Sequence, residues 1–179
     1  MIASLLMIIG IVGLDQLTKW LVVSNIELYE EVPFINGFVC WTYTQNKGAA
    51  FGMLADNKWV YMIFSLVALG VIGYMLVHDK KKHKLLTVAL SFLAGGGIGN
   101  MIDRLFRFNE AGENFVVDFI KTQFVDFAIF NVADSFITIG AILLAIYVIF
   151  FEMRKPKHDE NNGEDGGDEN GQDTELQGE

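Results

Sequence analysis

The chain has 179 residues, room for one domain, and its 52% hydrophobic content and mean hydropathy of +0.36 are high for a soluble protein. The net charge of −9 is concentrated in nine acids after His158; residues 1–158 balance thirteen acids with thirteen bases and show no basic patch interleaved with aromatics, which argues against nucleic acid as a partner. A single cysteine, Cys40, excludes an intrachain disulfide and any zinc or iron–sulfur spacing, and His78, His83 and His158 are too scattered for a histidine metal site.

In chain order, Ile2–Val23 is apolar and long enough to cross about 30 Å of hydrocarbon. It lacks the basic start and small-residue exit of a cleavable signal, so it is expected to stay in place. Asp15 and Lys19 lie inside it at i, i+4 spacing, on one helix face, where they can pair; a Lys19 that snorkels to the interface is the alternative. A polar, mixed stretch follows, and residues 25–57 are read as a small β-structure on the membrane surface. Phe38–Thr44 is rich in β-branched and aromatic residues, Asn46-Lys47-Gly48 reads as a turn, and Ala49-Ala50-Phe51-Gly52 is small enough for close backbone approach.

Trp59–His78 is the second span, anchored by its leading Trp, and a lysine-rich loop through Lys84 follows it. The third span covers 85–103 and ends in Gly95-Gly96-Gly97-Ile98-Gly99, a stripe that admits a closely packed neighbour; no strand precedes it and no Gly-Lys-Ser/Thr follows, so it is not a nucleotide loop. Arg104–Ile129 is a second exposed loop, whose apolar part Phe115–Phe130, with Asp118 inside it, is expected to lie flat in the interface. The fourth span is 131–151. The expected domain is therefore residues 1–157, and the acidic, Gly- and Asn-rich tail 158–179 is too poor in apolar residues to fold.

Lysine and arginine orient the four spans. Four lysines in Lys80–Lys84, and Arg154, Lys155 and Lys157 after the last span, place both termini and the short loop in the cytoplasm. Asp103 then ends the third span, Asp134 begins the fourth, and Asp118 lies between them, all on the outer side. Asp15, thirteen residues into a helix rising ~1.5 Å per residue, reaches the same half.

The pattern Asn-x-x-Asp occurs twice, as Asn100-Met101-Ile102-Asp103 and Asn131-Val132-Ala133-Asp134. Its two polar groups share a helix face, and acids gathered at the border of hydrocarbon are functional candidates that can divide protons between them. Composition and spacing admit an aspartyl membrane hydrolase, a proton-coupled carrier or a structural scaffold; acids clustered on one side weigh against the carrier. Asp103, Asp118 and Asp134 all remain open as the working pair, with the adjacent Arg104 offering Asp103 a salt bridge and so favouring the other two.

Five segments in order resemble the signal peptidase II family: Asp15-Gln16-Leu17-Thr18-Lys19, Asn46-Lys47-Gly48-Ala49-Ala50-Phe51-Gly52, Gly99-Asn100-Met101-Ile102-Asp103-Arg104, Val116-Val117-Asp118-Phe119 and Phe130-Asn131-Val132-Ala133-Asp134-Ser135, the likeness covering about residues 3–152. The resemblance implies a mainly α, integral membrane fold of four transmembrane helices with a small extracytoplasmic β-structure between the first and second. It implies an aspartyl endopeptidase of the plasma membrane that removes the signal peptide from diacylglyceryl-modified prolipoproteins just before the lipidated cysteine. Asp118 and Asp134 would be the catalytic dyad, with Asn46, Gly48, Asn100, Asp103, Arg104, Asn131 and Ala133 lining the site and Asp15 supporting it. No metal or organic cofactor is implied, a monomer is expected, and the family is sensitive to the cyclic peptide globomycin. The segment Phe108–Gly112 looks inserted relative to the family, and the acidic tail lies outside its core.

Overall fold

The computed structural model describes residues 1–48, 58–78 and 83–153; most of the lysine loop, the segment Ala49–Gly52 and the acidic tail lie outside the described residues. Four helices are present: α1 (Ile2–Asn25), α2 (Lys58–His78), α3 (Lys84–Phe106) and α4 (Val132–Tyr147), the last continuing into a π-helical turn, Val148–Glu152. By length and composition three of these are able to cross a membrane, Ile2–Asn25, Lys84–Phe106 and Val132–Glu152, and α2 adds a shorter apolar stretch, Met62–His78. Their large apolar side chains point outward, among them Leu5, Leu6, Ile9, Phe64, Leu66 and Ile142, as a surface facing lipid requires.

Helix α3 is the centre of the bundle and touches α1, α2 and α4. The glycine stripe makes this possible. A Cβ at Gly95 would lie 2.9 Å from Ile11 of α1, one at Gly97 would lie 3.0 Å from Leu69 of α2, and one at Gly96 would lie 2.4 Å from the Ala133 carbonyl oxygen of α4. Where lipid supplies no hydrophobic drive between helices, close packing along such small residues holds them together.

Strands β1 (Glu31–Ile35), β2 (Val39–Asn46) and β3 (Val116–Thr122) form one antiparallel sheet in that order. β1 and β2 are a hairpin turned at Gly37, whose φ of +78° suits glycine. Pro33 sits in β1, an edge strand, where a missing N–H is tolerated. The third strand was not expected: within the Phe115–Phe130 segment, Val116–Thr122 forms β3 in the sheet of the first loop, with Phe115, Val116, Val117 and Phe119 buried. At the edge of hydrocarbon an extended segment must satisfy its backbone groups, and pairing with β2 does so. Val117 and Phe119 pack with Tyr43 and with Val22 near the C-terminal end of α1, seating the sheet on that helix. The segment Phe108–Gly112 closes a small hairpin through a Phe108–Asn114 bridge, with Gly112 at φ +74°.

The Gly96 contact yields a direct expectation. Gly96→Ala pushes a methyl group into the Ala133 carbonyl and should lower stability by about 1–3 kcal/mol, read as a lower unfolding temperature in detergent. Gly13→Ala, where nothing lies within 4 Å of the added carbon, should leave that temperature unchanged or raise it.

Candidate active site

The two Asn-x-x-Asp copies have the same spacing and different structural uses. In the second, Asn131 is the N-cap of α4: its side-chain oxygen accepts from the Asp134 N–H at 2.9 Å, and the Asp134 carboxylate accepts from the Asn131 N–H at 3.2 Å. This reciprocal cap satisfies donors that a helix start leaves orphaned. It also pins the Asp134 side chain at the end of the helix. The first copy lies inside α3, so it caps nothing, and Asn100 and Asp103 project together into the protein interior, where both are buried.

Asp118 sits on β3 opposite Thr44 of β2, 2% exposed. One of its oxygens accepts from Asn46 Nδ2 and the other from Asn131 Nδ2, both at 2.7 Å. Asn46 is held in turn, because its side-chain oxygen accepts from the Gly48 N–H at 2.8 Å and Gly48 adopts φ +96°, a conformation few other residues take. Lys47, between them, pairs with Glu113 of the Phe108–Asn114 hairpin at 2.5 Å. Asn100 Nδ2 donates to Asp134 at 2.7 Å. Asn131 thus bonds both carboxyl groups, Asp118 through its side chain and Asp134 through its backbone.

Beneath these lies a second layer, in which Lys19, Asp15 and Asp103 are completely buried. The Lys19 ammonium contacts Asp15 at 2.9 Å and Asp103 at 3.0 Å, and donates to Asn100 Oδ1 at 2.9 Å. The pairing of Asp15 with Lys19 is the one their spacing allowed, and snorkelling does not occur. Gln16 Nε2 bridges Asp15, Asp103 and the Gly99 carbonyl. Asp103 accepts from the Val117 N–H at 3.1 Å, and Asp15 accepts from the Ala133 N–H at 3.0 Å. Each of these donors is the residue immediately before Asp118 or Asp134, so the two lower carboxylates hold the backbone under the two upper ones.

Nine of the ten residues singled out in the sequence, Asp15, Asn46, Gly48, Asn100, Asp103, Asn131 and Ala133 with Asp118 and Asp134, meet in this one cluster. Arg104 does not join it. The guanidinium on Asp103 is that of Arg107, at 2.9 Å, and among the described residues Arg104 makes no ion pair; its carbonyl accepts from Asn114 Nδ2. The helix explains this, since a residue four positions on lies above Asp103 and the next in sequence points about 100° away. Lys19, Gln16 and Arg107 were not among the site residues named from sequence. The signal for Lys19 and Arg107 was their i, i+4 spacing from Asp15 and Asp103.

Burial is the main force on Asp118 and pushes its carboxyl group up to about 7; the hydrogen bonds from Asn46 and Asn131 oppose the rise and the neighbouring charge of Asp134 adds to it. Near neutral pH this group both holds and releases a proton, as acid–base chemistry requires.

Fold and site together define a protein of apolar, membrane-crossing helices with four aspartates gathered in one cluster. The family model for signal peptidase (SPase) II matches residues 7–150, and the chain belongs to that family. It is 38% identical over 154 residues to the lipoprotein signal peptidase of Listeria monocytogenes serotype 4a (strain HCC23), spanning 85% of this chain and 96% of that relative. To the lipoprotein signal peptidase of Streptococcus pyogenes serotype M5 (strain Manfredo) it is 45% identical over 141 residues, spanning 79% and 89%. Among solved structures it resembles a bacterial membrane enzyme determined by the in meso method at 2.3 Å resolution, with TM-score 0.76 and 34% identity, covering 87% of this chain and 93% of that one.

The raised Asp118 group has a consequence for stability. Between about 3.8, the ordinary value, and about 7 the folded carboxyl keeps a proton that the unfolded chain has released. Folding therefore takes up a proton, and stability falls as pH rises across that window, the loss being complete above about 7. Asp118→Asn does not titrate. Its unfolding free energy in detergent, relative to the parent, should shift in its favour by about 4 kcal/mol between pH 4 and pH 8.

Proposed function

We propose that this peptidase removes the signal peptide from diacylglyceryl-modified prolipoproteins, cutting before the lipidated cysteine, with Asp118 and Asp134 as its acid–base pair. The observation that carries the pairing is that Asn131 hydrogen-bonds both carboxyl groups, at 2.7 Å and 3.2 Å, bringing acids of separate elements to one place. Two acids so close do not both ionise readily, and one retains a proton.

The hydrolysis follows from that division. Asp118, with its raised proton affinity, protonates the scissile carbonyl oxygen as Asp134 takes a proton from water and the water oxygen bonds the carbonyl carbon. The tetrahedral diol then collapses: Asp134 returns its proton to the departing nitrogen, the C–N bond breaks, and a diol proton goes back to Asp118. The products are a signal peptide with a new carboxyl end and a lipidated cysteine with a free amine. Asn46, Asn100 and Asn131 hold the carboxyl groups in register through the cycle, and Gly48 keeps Asn46 turned toward Asp118. Arg104, half-buried and without an ion pair among the described residues, is placed here as a contact for the substrate peptide.

The enzyme is read as a monomer with both termini and the lysine-rich loop in the cytoplasm and the site at the extracytoplasmic face. Supporting this, the C-terminal halves of α1 and α3, the N-terminus of α4 and the sheet all meet at the site, away from the N-terminus of α3. A substrate tethered by its signal helix and acyl chains arrives at that depth with its scissile bond in place, and globomycin would compete for the same pair.

Cleavage of a lipidated prolipoprotein by the purified protein tests the assignment. Asp118→Asn and Asp134→Asn should each lower kcat by a factor of at least about 100, the scale of general acid–base catalysis, and globomycin should block the parent. Near-parental turnover by either variant overturns the dyad.

A further inference from the structure

Lys19 remains unexplained by the dyad. It is fully buried, and its ammonium has three donors and no acceptor. Two of those donors are taken by Asp15 and Asp103 at 2.9 and 3.0 Å, and the third goes to Asn100 Oδ1 at 2.9 Å. A carboxamide has one oxygen and one nitrogen end, and an ammonium can meet only the oxygen. Asn100 is thereby compelled to turn its Nδ2 the other way, where it donates to Asp134 at 2.7 Å. The same Asn100 oxygen accepts from Asn131 Nδ2 at 3.1 Å, and that nitrogen also donates to Asp118 at 2.7 Å. The cation at the base of the site therefore sets the direction of the Asn100 amide, as the cap bond from the Asp134 N–H sets that of Asn131, and both carboxyl groups are met by N–H and not by C=O.

We infer that Lys19 is a positioning residue for the hydrolysis, locking the amide of Asn100 so that it donates to Asp134. This rests on Asp118 and Asp134 being the acid–base pair. Without the cation only the Asn131 Nδ2 bond, at 3.1 Å, still holds the Asn100 oxygen, and the amide can turn over. Its oxygen would then face Asp134, and the hydrogen bond could be completed only by a protonated carboxyl group, which is unable to take a proton from water. The charged and titratable groups around this junction are Asp15 and Lys19 of α1, Asp103 and Arg107 of α3, Asp118 of β3 and Asp134 of α4. Only Lys19 contacts the Asn100 oxygen with a charge.

Removing Lys19 alone strands the buried Asp15 carboxylate, so the informative variant is Lys19→Met with Asp15→Asn, which deletes one charge of each sign and leaves Asp103 paired with Arg107. Asp15→Asn alone is its control, and Asp118→Asn and Asp134→Asn are assayed beside it, so that a failure of the dyad is seen separately from a failure of the lock. Relative to the control, the double variant should unfold at a similar temperature in detergent. Its kcat should fall about 10- to 100-fold with KM within about threefold, and the acid limb of its kcat–pH profile should move up by about one unit or more. Asn100→Asp keeps an oxygen on Lys19 and presents another to Asp134, and should move that limb in the same direction. An unmoved limb in either variant, unchanged kcat in the double variant, or failure of the double variant to fold where the control folds assigns Lys19 to stability alone and overturns the inference.

Discussion

One cation in a dry interior organises this protein. The Lys19 ammonium, wholly out of solvent, draws in Asp15 and Asp103 from two different helices. Isolated, each of these charges would cost several kcal/mol to bury, and only complete hydrogen bonding makes the cluster tolerable. That completion determines the fold around it. Asp103 recruits Arg107, Gln16 and the Val117 N–H, and Asp15 recruits Gln16 and the Ala133 N–H. The need to satisfy a buried charge cluster thus reaches from α1 and α3 into β3 and the first turn of α4.

The four acids so gathered fall into two chemical kinds. Asp15 and Asp103 face the cations Lys19 and Arg107. Asp118 and Asp134 meet neutral amides: Asn46, Asn100 and Asn131. Amides orient a carboxyl group without supplying the charge that would lock its protonation state. The glycine stripe completes the arrangement. With no Cβ on Gly96 and Gly99, α3 lies against the Ala133 carbonyl and the Asp15 carboxylate closely enough for the hydrogen bonds to form.

Much of this was legible from residue order, for identifiable reasons. Helical spans follow from long uncharged runs, and the strand at Phe38–Thr44 from its β-branched and aromatic content; β2 runs over Val39–Asn46. The pairing of Asp15 with Lys19 follows from helix periodicity. β3 was not legible, because Val116–Thr122 has the local pattern of an amphipathic patch and its partner strand lies more than seventy positions away; only the closed sheet distinguishes the two. Adjacency misled at Arg104, where the helix turns the nearer guanidinium aside and brings Arg107 to Asp103. The repeated Asn-x-x-Asp showed where polar groups would gather, but a cap and a buried mid-helix face look alike as text. The role of Lys19 depends on its contact with Asn100, eighty-one positions on, and no local pattern encodes that distance.

The bond between Asp15 and the Ala133 N–H joins positions 118 residues apart, and it bears on how the protein comes into being. A chain emerging from the ribosome inserts α1 long before α4 exists. Until the last helix enters the bilayer, Asp15 lacks its backbone donor, Asn131 is absent, and Asp134 has not yet been synthesised. On the proposed pairing of Asp118 with Asp134, the nascent protease is therefore inert while its own first helix, an apolar segment not unlike those it severs, threads into the membrane, and it becomes competent only when its final span closes the bundle.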